Sequence, residues 1–124
     1  MIQRIFRRKI YDKILKWKEE NQGKTALLIE GARRVGKSTV VEEFARKEYQ
    51  SCIIIDFNKA RKEVKDLFED LMDMDLLFLK LQQTYHVELV DRNSVIVFDE
   101  VQQCPLARQA IKYLVQDGRY DYIE

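Results

Sequence analysis

An α/β fold built on a parallel sheet is what this 124-residue sequence predicts, and three observations carry that prediction. An apolar run at residues 26–29 feeds a loop bracketed by glycines, Gly31-Ala32-Arg33-Arg34-Val35-Gly36-Lys37-Ser38, and an amphipathic stretch leaves it. A second apolar run, Val95-Ile96-Val97-Phe98, shows no polar alternation and ends on Asp99-Glu100. That is the pattern of a strand buried on both faces. Around these two segments strand-like and helix-like stretches alternate, as parallel strands joined by right-handed helical crossovers do.

Taken in order, residues 4–20 read as a helix with Phe6, Ile10, Ile14 and Trp17 on one face and Gly23 as its stop. The first strand (26–29) and the glycine-bracketed loop follow. The spacing then predicts a helix over 37–48 with Val40, Val41, Phe44 and Ala45 inward. Residues 51–57 form a second buried strand. Asn58 is read as the N-cap of a helix carrying Ala60, Val64, Leu67, Phe68 and Leu71. Asp73 caps another, with Leu76, Leu77, Leu79 and Leu81 as core and Thr84-Tyr85-His86 near its end. The strand over 94–99 comes next. Pro105 opens a further helix with Leu106, Ala107, Ala110, Ile111 and Leu114 inward, and Gly118 closes it. Residues 120–124 begin one more strand. The expected division is an N-terminal amphipathic helix over 1–23 and an α/β core over 24–124.

The loop carries the chemistry. Gly31 and Gly36 let the backbone turn tightly, so that successive N–H groups point into one concavity and cradle a triphosphate. Ala32, Arg33, Arg34, Val35 and Thr39 contribute backbone there, and the following helix N-terminus adds partial positive charge. Lys37 is assigned to bridge the β- and γ-phosphates, and the Ser38 hydroxyl to ligate Mg²⁺. Asp99, 62 residues after Lys37, is the second expected metal ligand, at the end of a Walker B strand. Glu100 is the candidate catalytic residue beside Lys37, because a carboxylate there can polarise the water that attacks the γ-phosphate. Guanine specificity fits poorly. Glu100-Val101-Gln102 lacks the glycine of an Asp-x-x-Gly switch, and Asn58-Lys59 continues as Ala60-Arg61. ATP is therefore expected by elimination.

Composition narrows the remaining classes. A hydrophobic content of 46% suffices for one packed core, and 35% charged residues with a net charge of +1 describe an ordinary soluble surface. No apolar run reaches bilayer-spanning length, and the charged N-terminus lacks a signal-peptide core, so a cytoplasmic protein without membrane contact is expected. Cys52 and Cys104 form no C-x-x-C pair and read as free thiols. His86 is the single histidine, which excludes a constellation built on imidazoles. Arg4, Arg7, Arg8, Lys9, Lys13, Lys16 and Lys18 make a basic stretch on the first helix. A solvated face is favoured there, and nucleic acid is left open as a partner.

The loop, together with Asp99-Glu100-Val101-Gln102-Gln103-Cys104-Pro105, resembles prokaryotic AAA-type ATPases of the archaeal-ATPase-like group. So do Ala110-Ile111-Lys112-Tyr113-Leu114-Val115, Asp117-Gly118-Arg119-Tyr120-Asp121, and upstream Arg8-Lys9-Ile10-Tyr11-Asp12 with Trp17. The resemblance implies a P-loop NTPase three-layer sandwich with sheet order 5-1-4-3-2, strand four lying between strands one and three. It implies Mg²⁺-dependent ATP hydrolysis and a core truncated after strand four begins. The γ-phosphate sensor, the fifth strand, any arginine finger and a C-terminal domain would then be missing from this chain, leaving slow turnover at best; a homo-oligomer and the missing C-terminal domain are left open as partners. Arg108 and Arg119 receive no such role from the sequence. Two other readings stay open: a truncated module that only binds nucleotide, and a small P-loop kinase, for which no acceptor pocket or Arg-rich lid is evident. The biological process is not legible.

Overall fold

A computed structural model describes residues 2–29 and 37–124 of the chain. Its centre is a parallel sheet in the order β1 (Ser51–Asp56), β2 (Ser94–Asp99) and β3 (Asp121–Ile123). Ser51 pairs with Ser94 and Asp56 with Asp99, while Val95 pairs with Asp121 and Val97 with Ile123. The 26–29 segment lies against the free side of β3 through a parallel bridge between Leu27 and Ile123. Leu27 N–H donates to Tyr122 C=O at 2.9 Å, Glu124 N–H to Leu27 C=O at 2.8 Å, and Ile29 N–H to Glu124 C=O at 2.9 Å. β3, the fourth strand of the predicted order, thus sits between the 26–29 segment (its first strand) and β2, as predicted. The 26–29 segment pairs through this short bridge and not as a full ladder.

The alternation of side chains sorts the core into two layers. Ile53, Ile55, Phe57, Ile96, Phe98 and Tyr122 point to one face, where they meet α3 (Lys62–Asp66), α4 (Met74–Tyr85) and α5 (Pro105–Asp117). Val95, Val97 and Ile123 point to the other and meet α1 (Ile2–Asn21) and α2 (Lys37–Glu48) through Ile14, Val41, Phe44 and Ala45. The result is a three-layer α/β/α sandwich. β2 is covered on both faces, which is why its sequence has no polar alternation. Phe57, Phe68 and Phe98 stack edge to face at 5.4–6.0 Å between ring centres and knit α3 and its continuation to the sheet.

The predicted bounds of α2, β2 and α5 hold, as do three caps. Asp73 Oδ1 accepts from Leu76 N–H at 3.0 Å, Pro105 opens α5, and Gly118 closes it at φ +81°. The helix expected from Asn58 is shorter. Asp56 Oδ1 takes the Asn58 N–H at 2.9 Å, and its carbonyl takes those of Lys59 and Ala60, so a tight turn delays the helix to Lys62. The helix tightens to a 3₁₀ turn at Leu67–Glu69, and Leu71 falls outside it. Four expected core residues are exposed instead: Phe6, Leu76, Leu79 and Leu106. Phe78, absent from the expected core, is buried against Tyr120 at 4.9 Å between ring centres. Cys52 and Cys104 are free thiols, as expected.

One polar network ties the lower edge of the sheet, where the strands begin. Asp121 is 6% exposed and accepts from Tyr49 Oη and from Arg92 Nη2, each at 2.6 Å. Arg92 Nη1 donates to the Gly118 carbonyl at 3.1 Å. Burial, then the bond to Asp121, pushes the Tyr49 hydroxyl well above the usual tyrosine range. The Arg92 guanidinium lies directly over Gly23, where a Cβ would stand 2.6 Å from Nη1.

Candidate functional site

The upper edge, where the strands end, carries a cleft of about 260 Å³. Open parallel sheets bind ligands there, because loops diverge at the carboxyl ends of the strands and leave a crevice. Val41, Ile54, Val97 and Ile123 form an apolar floor. Ser38 from the first turn of α2, Asp99 from the end of β2, and Glu100 just after it stand together on the lining. Sixty residues of intervening chain are bridged by the β1–β2 pairing and by the packing of Val40, Val41, Phe44 and Ala45 beneath α2. Lys37 is the first residue of α2. Thr39 faces solvent on the same turn as Ser38. Gly31, Ala32, Arg33, Arg34, Val35 and Gly36 lie outside the described residues.

Glu100 has φ +56° and ψ +42°, a left-handed conformation that costs a residue with a Cβ about 1–2 kcal/mol. The turn that follows holds it. Gln103 N–H donates to the Glu100 carbonyl at 3.0 Å, Val101 is buried as an anchor, and Gln102 Nε2 hydrogen-bonds the Glu100 carboxylate. The backbone reverses there, so Asp99 and the next carboxylate both face the cleft. Asp99 and Ser38 offer hard oxygen donors of the kind Mg²⁺ takes, completed in such sites by phosphate oxygens and water. Among the described residues no group of three or more His, Cys, Asp or Glu forms a metal cage made by protein alone.

Four polar or charged lining residues had no role in the sequence reading: Glu42, Gln102, Arg108 and Glu124. Glu42 stands one helical turn after Ser38 and Gln102 two residues after Glu100, so their spacing carried a signal, whereas Arg108 and Glu124 enter the cleft only through tertiary packing. Arg108 Nη1 lies 3.8 Å from Glu124 Oε1. Arg119, by contrast, sits at the lower edge with Asp75 at 2.6 Å and Asp117 at 3.2 Å, and its guanidinium covers Phe78. His86 ends α4 in a left-handed cap. Arg4, Arg7, Arg8, Lys9, Lys13 and Lys16 of α1 are exposed, and Lys18 lies over the Tyr49 ring at 4.9 Å.

A parallel three-layer sandwich with a helix-start hydroxyl and a strand-end carboxylate across one cleft is the architecture of the P-loop nucleotide-binding class. The family model of the AAA domain matches residues 23–124, and the chain belongs to that family. It is a nucleotide-binding AAA-type domain of P-loop fold. No curated protein and no solved structure gives a significant match. Among the described residues no helix is long and apolar enough to cross a membrane.

Proposed function

We propose that this domain binds ATP as its Mg²⁺ complex and hydrolyses it. The observation that carries the reading is the convergence of Ser38, Asp99 and Glu100 on one cleft at the carboxyl edge of the sheet. In this reading the loop from Gly31 to Gly36 and the start of α2 hold the phosphates through backbone N–H groups. Lys37 neutralises the β- and γ-phosphate oxygens, and Ser38 and Asp99 hold the metal. The bound Mg²⁺ supplies charge stabilisation on the transferring phosphoryl group. Glu100 orients the attacking water and accepts its proton, held in place by the left-handed turn and by Gln102.

The cytoplasm is the compartment this reading assigns, with ATP the adenine nucleotide chosen by the missing guanine motif. An arginine finger from a second copy or from a further domain would raise the rate by about 10³–10⁵. The test pairs calorimetric Mg²⁺-ATP binding with phosphate release. Lys37→Ala is expected to abolish binding. Glu100→Gln is expected to keep the affinity within about twofold and cut turnover by about 10²-fold or more, the usual worth of a general base. Loss of binding and turnover in equal measure on Glu100→Gln would remove its assigned role. Binding without turnover in the unaltered chain and in its mixtures with a complete homologue would reduce the domain to a nucleotide-binding module.

A further inference from the structure

We propose that Arg108 reads the terminal phosphate of a bound triphosphate, and that Glu124 holds its guanidinium in reserve until that phosphate arrives. The inference rests on the nucleotide reading above and assigns a role that neither the sequence motifs nor the family match supplies. Arg108 stands in the first turn of α5, on the opposite side of the sheet from α2. It nevertheless lines the same cleft as Ser38, Asp99 and Glu100. Its backbone is fixed: Pro105 starts the helix, Ala107 is fully buried beneath it, and the Arg108 N–H donates to the Cys104 carbonyl at 3.1 Å. Its side chain is free to move, being 57% exposed. A long cation on a rigid mount, at the mouth of a phosphate cleft, can swing without disturbing the fold.

Its present partner is a weak one. The 3.8 Å separation from Glu124 is outside hydrogen-bonding distance and involves a mostly solvated guanidinium. Glu124 is the less mobile member, with its side chain 14% exposed and its backbone bonded on both sides to the 26–29 segment. A γ-phosphate brings about two negative charges and three acceptor oxygens, which the planar guanidinium fork matches bidentately and a single carboxylate contact at 3.8 Å does not. The terminal phosphate therefore takes Arg108 from Glu124. A diphosphate ends short of that position and leaves the pair as it stands. Arg119, held at the other edge by Asp75 and Asp117, cannot substitute.

The experiment is calorimetric binding of a non-hydrolysable ATP analogue and of ADP, each with Mg²⁺. It compares the unaltered chain with Arg108→Gln, Arg108→Lys, Glu124→Gln and Lys37→Ala, with circular dichroism to confirm that each variant is folded. Arg108→Gln is expected to weaken the triphosphate analogue about tenfold or more, roughly 1.4 kcal/mol, and to leave ADP within about twofold. Arg108→Lys should restore part of the loss, since it keeps the charge but not the fork. Glu124→Gln should tighten the triphosphate by a few-fold, to roughly threefold or more, and leave ADP unchanged. Equal change for both nucleotides in Arg108→Gln, or none for either, overturns the proposal. If Lys37→Ala weakens both nucleotides while Arg108→Gln affects neither, the nucleotide reading survives and this one fails. If the unaltered chain binds neither nucleotide, both fall.

Discussion

Replacing Asp121 by Ala isolates what holds β3 in register. The strand is three residues long and starts on this carboxylate. Asp121 accepts a hydrogen bond from the buried Tyr49 hydroxyl and is paired with Arg92, both at 2.6 Å. Two losses follow from the deletion. The Tyr49 hydroxyl, on a residue 6% exposed, is left without its acceptor at a cost of about 1–3 kcal/mol. The Arg92 contact is also lost, but that side chain is 42% exposed and regains water, so its share is at most about 1 kcal/mol. The sum is about 1–4 kcal/mol, set against the roughly 5–15 kcal/mol that stabilises such a domain. For a chain of this length it corresponds to a fall in Tm of roughly 4–16 °C.

The assay is urea unfolding of the single variants Asp121→Ala and Tyr49→Phe and of the double variant. Removing the hydroxyl first should rescue much of the Asp121 cost. A coupling energy of about 1–2 kcal/mol is expected in the cycle. A loss below about 0.5 kcal/mol for Asp121→Ala, or strict additivity of the two changes, would refute the account.

Two further predictions concern the same edge and the chain's tyrosines. Gly23 and Gly118 have nearly the same φ, +82° and +81°, but a Cβ meets the Arg92 guanidinium at 2.6 Å in the first and nothing nearer than 3.9 Å in the second. Both Ala variants pay the left-handed cost of about 1–2 kcal/mol. Gly23→Ala should lose about 1 kcal/mol more in urea unfolding because it displaces Arg92, and equal losses would sink that argument. The second concerns alkaline pH. Tyr11 is pushed up to about 12 by burial and then by its bond to Glu48, and burial raises Tyr49 and Tyr122 further. The unfolded chain gives up these protons from about pH 10, while the folded chain keeps them. Stability should therefore be level below about pH 9 and fall as pH rises through 10 toward 12. Absorbance at 295 nm should show these phenols ionising with the unfolding transition; their ionisation near pH 10 in a chain still folded would refute the shifts.

The motifs were legible because each is local and periodic. The Asp99 strand could be read from four apolar residues without polar interruption, since a strand covered on both faces has no other pattern available. α2 could be read from the spacing of Val40, Val41, Phe44 and Ala45. The stretch from Asp56 to Leu71 was misjudged because two competing N-terminal signals sit two residues apart. The Asp56 carboxylate reached the Asn58 N–H first and made a turn where Asn58 alone would have made a cap. In α4, four leucines outweighed the single Phe78 in a reading that counts apolar residues. Packing selected Leu77, Phe78 and Leu81 and turned Leu76 and Leu79 outward. Arg108 and Glu124 were invisible for a different reason. They are brought together by a helix and a strand on different sides of a loop closure, and no spacing rule encodes that.

The two edges of the sheet divide stability from chemistry. At the edge where strands begin, polar groups pair with one another: Tyr49 with Asp121, Arg92 with Asp121 and Gly118, and Arg119 with the carboxylates of Asp75 and Asp117. At the edge where strands end, Ser38, Asp99 and Glu100 meet on one lining, with Glu100 on a left-handed backbone and Arg108 only loosely held by Glu124. Strain of that kind persists where the surrounding structure holds it, and it gathers at sites of chemistry. A metal–triphosphate complex suits such a lining, bringing cation to the carboxylates and phosphate to the guanidinium. Loss of nucleotide binding when Mg²⁺ is removed, and not only of turnover, is thus the consequence that separates this reading of the cleft from one in which its acids merely face solvent.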